Sequence, residues 1–118
     1  LFRSSFLPLE SFIASLKRVA ALDVHWVYPA HGEPFDNLRA RVQEIVDHHD
    51  ERTAITRQTV TGAPQTASAI ARQIFGEALP DFDKGLALNE TCVHLMQLEK
   101  EGLVEKTQEN GRIYYIRK

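Results

Sequence analysis

His31 is the residue with the clearest chemical potential in this chain. It stands in Pro29-Ala30-His31-Gly32-Glu33-Pro34, directly after the β-branched and aromatic run Val24-His25-Trp26-Val27-Tyr28. A short strand stopped by Pro29 would hold an imidazole at its tip, aimed into a cleft, where a ring nitrogen can accept a hydrogen bond or ligate a metal. Zinc takes about three or four protein ligands. No HxH, no HxxxH and no well-spaced carboxylate accompanies His31, so the residues alone supply one ligand and not a site. Taken alone, a strand-end histidine is more often a loop hydrogen-bonder than a ligand.

Three further residues could act on a substrate or hold structure. His48 and His49 are adjacent, hence about 100° apart on a helix, and do not readily face one metal together. His49 continues an apolar stripe while His48 faces another surface. Arg52, one turn beyond His48, can pair with a carboxylate or a substrate group. His25 reads as an ordinary strand residue. Cys92 lies on an apolar stripe and reads as core rather than nucleophile.

The elements that position these residues follow from periodicity and punctuation. Pro8 suits a helix start, and Leu9, Phe12, Ile13, Leu16, Val19 and Ala20 follow at helical spacing, ending near Leu22 and Asp23. The strand Val24–Tyr28 and the His31 loop come next. A long helix is expected from about Asp36 to about Val60, capped by Asp36 or Asn37, with Leu38, Val42, Ile45, Val46 and His49 as its stripe. Thr61-Gly62-Ala63-Pro64 ends it, and the domain boundary is expected along this helix.

Thr66 caps a short helix striped by Ala67, Ile70, Ala71, Ile74 and Phe75 and closed by Gly76. A loop with Pro80 and Gly85 leads to a helix over about Leu88 to Glu101, with Cys92, Leu95 and Leu98 inward. Leu103–Lys106 and Ile113–Ile116 are strand-like, and Asn110-Gly111 between them is a hairpin signal. Helix, helix, helix and hairpin is the order of a winged helix-turn-helix. The fold class is therefore mainly α with a small β component.

Composition sets the outer limits. A chain of 118 residues with 43% hydrophobic and 25% charged residues can bury a core without staples. Its single cysteine excludes an internal disulfide or a multi-cysteine zinc site. No apolar run approaches the roughly 20 residues of a membrane span. With 14 basic and 16 acidic side chains, no global field draws it to nucleic acid or anionic lipid.

Ser15-Leu16-Lys17-Arg18 followed by Val27-Tyr28-Pro29-Ala30-His31-Gly32-Glu33-Pro34 resembles the end of a metallo-β-lactamase-fold hydrolase domain. In that superfamily the last strand and loop carry a proline, a small residue and His-Gly, and this histidine is the final zinc ligand. The His48-His49-x-x-Arg52 helix, Thr66-Ala67, and His94-Leu95-x-x-Leu98-x-x-x-Gly102-Leu103-Val104 are similar to one branch, which carries a winged-helix domain after the hydrolase domain. That branch includes the lactamase-like endoribonucleases and many bacterial zinc-dependent hydrolases.

The resemblance implies three parts: residues 1–35 as a helix–strand remnant of the αββα hydrolase domain, 36–62 as a connecting helix, and 63–118 as a winged helix. It also implies His31 as a metal ligand, and one or two zinc ions in an intact parent protein. The family's HxHxDH motif is absent, so no catalytic residue is assigned and the chain alone is expected to be inactive and to hold zinc weakly. Since the chain starts at Leu1, without a signal-like stretch, it is expected to be part of a longer cytoplasmic protein.

The expected partners are the upstream hydrolase domain and a second copy, joined strand to strand through Val24–Tyr28, with residues 66–118 alone monomeric. Ester, thioester or phosphodiester substrates fit the resemblance. The competing class is a stand-alone winged-helix DNA-binding regulator. Against it, the candidate recognition helix sets Glu90, Glu99 and Glu101 against Lys100 and His94, a poor phosphate-binding surface.

Overall fold

A computed structural model describes residues 7–118. Among them are four helices, α1 (Pro8–Ala20), α2 (Leu38–Thr59), α3 (Ala67–Phe75) and α4 (Asp81–Lys100), and a hairpin of β1 (Val104–Glu109) and β2 (Arg112–Arg117). The chain divides into two compact units, Leu1–Asp50 and Glu51–Lys118, and the division falls within α2.

In the first unit, Pro8 opens α1 at a position where a missing N–H costs nothing. Asn37 caps α2, its Oδ1 accepting from the Ala40 amide at 3.1 Å. The Arg39 guanidinium donates to the Ala20 carbonyl at 3.2 Å, tying the end of α1 to the start of α2.

The expected strand over Val24–Tyr28 is corrected. Only Val27 pairs, in an isolated antiparallel bridge with Phe35, through two backbone hydrogen bonds of 2.8 and 3.1 Å. A strand is stable only against a neighbour. Among the described residues this segment finds one residue of partner and no more.

The second unit closes its own core. Thr66 Oγ1 accepts from the Ala69 amide at 3.1 Å and caps α3, and Gly76 ends it at φ +86°. Val60, Ile70, Leu95, Leu98, Val104 and Tyr115 form the buried cluster, backed by Ala67, Ile74 and Leu103. The Asn110-Gly111 turn forms as expected, with φ of 52° and 77° and Glu109 paired to Arg112 across it. On its other side β2 bridges Gln65, where the Tyr115 amide donates to the Gln65 carbonyl at 2.7 Å. The Arg117 guanidinium donates to the Arg57 and Gln58 carbonyls and so satisfies the end of α2.

α4 is longer than its periodicity suggests. It starts at Asp81, not Leu88, and takes Gly85 into its interior. A helical glycine costs about 1 kcal/mol. Asp81 and Asp83 in the first turn offset part of that by facing the helix dipole.

Candidate functional site

His31 lies in the irregular segment between the Val27–Phe35 bridge partners and is exposed. The two bridge hydrogen bonds pinch that segment into a loop, and Gly32, at φ +95°, makes the turn after the histidine. A side chain at that position would be strained whatever the space around it, which explains why glycine follows the histidine.

Beside this loop runs a concavity of about 420 Å³. Leu16, Val27, Phe35, Val42 and Ile45 supply its apolar lining, and His31, Glu33 and Arg41 its polar one. Arg41 also forms an exposed ion pair with Glu44 at 3.1 Å. Arg41 and Glu33 did not stand out in the sequence. Arg41 could have been found, because it sits between Leu38 and Ile45 on the stripe that lines the concavity.

The other sequence-derived candidates stand elsewhere. His49 is half-buried with its ring edge-on to Phe12, centroids 5.7 Å apart, while His48 is exposed, its ring 5.8 Å from that of His49. Neither lines the concavity. Arg52 belongs to the second unit. Its guanidinium lies 4.6 Å from the Phe75 ring centroid, and its Nε is 3.2 Å from Glu90 Oε1, an ion pair without an aligned hydrogen bond. The structure thus gives Arg52 two partners of its own. His25 is exposed and 4.0 Å from Asp23.

His94, set with Lys100 against the glutamates of the candidate recognition helix in the sequence, is fully buried. Its Nδ1 lies 2.7 Å from the Glu90 carbonyl, which requires the proton on Nδ1. It therefore contributes nothing to a phosphate-binding face. Cys92 is half-buried, and burial pushes its thiol above the usual range, opposite to what a nucleophile needs.

The donor set does not fit a metal by itself. Among the described residues, no three His, Cys, Asp or Glu side chains converge on a point that could hold an ion. A lone exposed imidazole falls short of the three or four ligands of a zinc site. No step through a metal is derived from these residues.

No protein-family model matches the chain. Individual proteins do. A probable metallo-hydrolase of Bacillus subtilis is 32% identical over 108 residues, covering 92% of this chain and 34% of that protein. A beta-lactamase-like protein 2 homolog of Caenorhabditis elegans is 27% identical over 85% of the chain and 34% of its own length. Among solved structures, a beta-lactamase domain protein from Burkholderia ambifaria superposes with a TM-score of 0.84 at 29% identity, over 96% of this chain and 34% of that one. A metallo-beta-lactamase family protein from Thermus thermophilus gives 0.79 at 28% identity, over 95% and 34%.

The fold and its relatives are thus those of metallo-β-lactamase-fold proteins. The chain corresponds to the C-terminal part of a metallo-β-lactamase-fold protein. It spans about a third of the length of the relatives it matches. Among the described residues, no helix is long and apolar enough to cross a membrane.

Proposed function

We propose that this chain is the C-terminal region of a cytoplasmic, zinc-dependent hydrolase acting on an ester, thioester or phosphodiester. In this reading His31 is the last metal ligand, completing a set whose other members come from the preceding part of the protein. Residues 63–118 are an accessory winged-helix domain, with α3 and α4 as its helix pair and β1–β2 as its wing. His48, His49 and Arg52 hold structure or lie on the substrate side. Nucleic acid is not a partner of this domain in this reading.

One observation carries the proposal. The Pro-Ala-His-Gly loop presents a solvent-facing imidazole beside an apolar concavity, in a chain that matches 34% of a probable metallo-hydrolase. The stand-alone regulator is disfavoured because the matches run through both units and are metallo-β-lactamase-fold proteins.

A chimera tests it: this chain replaces the corresponding C-terminal third of the Bacillus subtilis relative. The reading expects bound zinc by atomic absorption and turnover of a nitrophenyl ester or phosphodiester. His31→Ala should lower turnover by at least about 100-fold and reduce the zinc content. A folded chimera whose zinc content and turnover are unchanged by His31→Ala would contradict the ligand assignment.

A further inference from the structure

α4 carries a second feature, independent of the His31 loop. Phe82, Leu86, Asn89, Val93 and Met96 are spaced 4, 3, 4 and 3 residues apart. That spacing keeps side chains on one stripe of a helix and is the repeat of a coiled-coil seam. The stripe faces outward: Phe82 is 78% and Leu86 53% exposed, Asn89 and Met96 are exposed, and Val93 is half-buried. The inward stripe of the same helix, Thr91, His94, Leu95 and Leu98, is buried. α4 is therefore apolar on two sides, of which the fold of the second unit uses one.

A large apolar stripe in water is costly unless something covers it. A nucleic-acid reader would present basic or amide side chains there, and this stripe has one amide and no cation before Lys100. The stripe has an internal symmetry instead. Asn89 is its midpoint, with Leu86 and Phe82 on one side and Val93 and Met96 on the other. Turned end for end about Asn89, it matches itself approximately: Phe82 meets Met96, Asn89 meets Asn89, and Leu86 and Val93 come within one position of each other.

We propose that this stripe is a self-association surface, on which α4 of a second copy docks antiparallel about a two-fold axis at Asn89. Charge favours that direction. Lys100 continues the stripe at the C-terminal end, and antiparallel pairing brings it beside the other copy's first turn, with Asp81 and Asp83. The two helix dipoles then oppose. A buried Asn–Asn contact at the midpoint fixes register, as a single polar seam position does in coiled coils. The seam is roughly 21 Å long, which places the dimer at the small, reversible end of interface sizes.

The proposal relocates the pairing expected from the sequence. The Val24–Tyr28 segment is one bridge and not a strand, so strand addition there loses its basis. Pairing through α4 also makes residues 66–118 part of the dimer.

The test uses the whole chain. Sedimentation equilibrium over a concentration series to about 100 μM should show a reversible dimer. Phe82→Asp and Leu86→Asp, both at exposed positions, should each weaken it at least about tenfold with unchanged circular dichroism. In a Cys92→Ser background, Asn89→Cys should form an intermolecular disulfide on mild oxidation, because residues on the axis face each other. Glu105→Cys, on the hairpin, should not. A strictly monomeric chain overturns the proposal, and so does a dimer that tolerates both aspartates. A dimer that links through Glu105→Cys as readily as through Asn89→Cys overturns it as well.

Discussion

The unit from Glu51 to Lys118 packs Val60, Ile70, Leu95, Leu98, Val104 and Tyr115 against one another. In the unit ending at Asp50, by contrast, the buried apolar residues among those described are Leu9 and Val42, while Phe12, Val19, Leu22, Trp26 and Tyr28 are exposed. Trp26 is 56% and Tyr28 78% open to solvent. Two stretches of one chain thus differ in whether they enclose a buried apolar cluster. A unit with a buried cluster of its own has the core that an accessory domain needs, even though the outer stripe of α4 stays exposed. One that exposes Trp26 and Tyr28 and buries only two apolar residues among those described agrees with the proposal that further protein completes it.

The largest expected effect compares one truncation in each unit. Leu95→Ala should cost about 3 kcal/mol or more, because a fully buried leucine in a closed cluster leaves a cavity. Leu9→Ala should cost less, about 2 kcal/mol, because Leu9 and Val42 are the only apolar residues buried among those described in that unit, so less packing is lost. Urea unfolding followed by circular dichroism measures both. Equal costs would break the contrast.

A smaller effect concerns Arg52. Arg52→Ala removes the ion pair to Glu90 and the stack on Phe75, and should destabilise the second unit by about 1 kcal/mol. Arg52→Lys keeps the charge but loses the flat guanidinium over the ring, so it should recover only part. A full-sized loss of activity in the chimera with no loss of stability would assign Arg52 to the substrate side instead.

The smallest effect is alkaline. Burial raises the Cys92 thiol above its usual 9.0. Burial, with Cys92 and Glu99 nearby, raises the Tyr115 phenol above its usual 10.0. The folded state then holds these protons where the unfolded chain has released them, so stability falls as pH rises through about 9 to 10. Both groups lie in the second unit, so its melting temperature should drop there while Cys92→Ser blunts the drop. A flat profile from pH 8 to 10.5 would remove this part of the account.

Much of the second unit was legible in the sequence. Thr66, Gly76 and Asn110-Gly111 act through local backbone chemistry, which needs no knowledge of the rest of the fold. The start of α4 was not legible, because Gly85 and Pro80 look like a loop and the acidic first turn outweighs them only in place. The burial of His94 was also hidden. A polar ring becomes a core residue once a carbonyl one turn back accepts its proton, and the side-chain type alone does not reveal that. The Val24–Tyr28 segment failed for the opposite reason: its residues favour a strand, but a strand also needs a neighbour. At the candidate site, His31 and its glycine could be read directly, whereas Glu33 and Arg41 emerged only from the shape around them.

Hydrogen exchange on the intact chain tests the contrast between the units most directly. The account predicts that the amides of Val60, Ile70, Leu95, Leu98 and Tyr115 exchange only through global opening of the second unit, while those of α1 and the Val27–Phe35 bridge exchange orders of magnitude faster. Equal protection of Val27, Phe35 and Leu95 would show that residues 7–50 are as complete as residues 51–118, and would contradict the reading of the first unit as one part of a larger hydrolase domain.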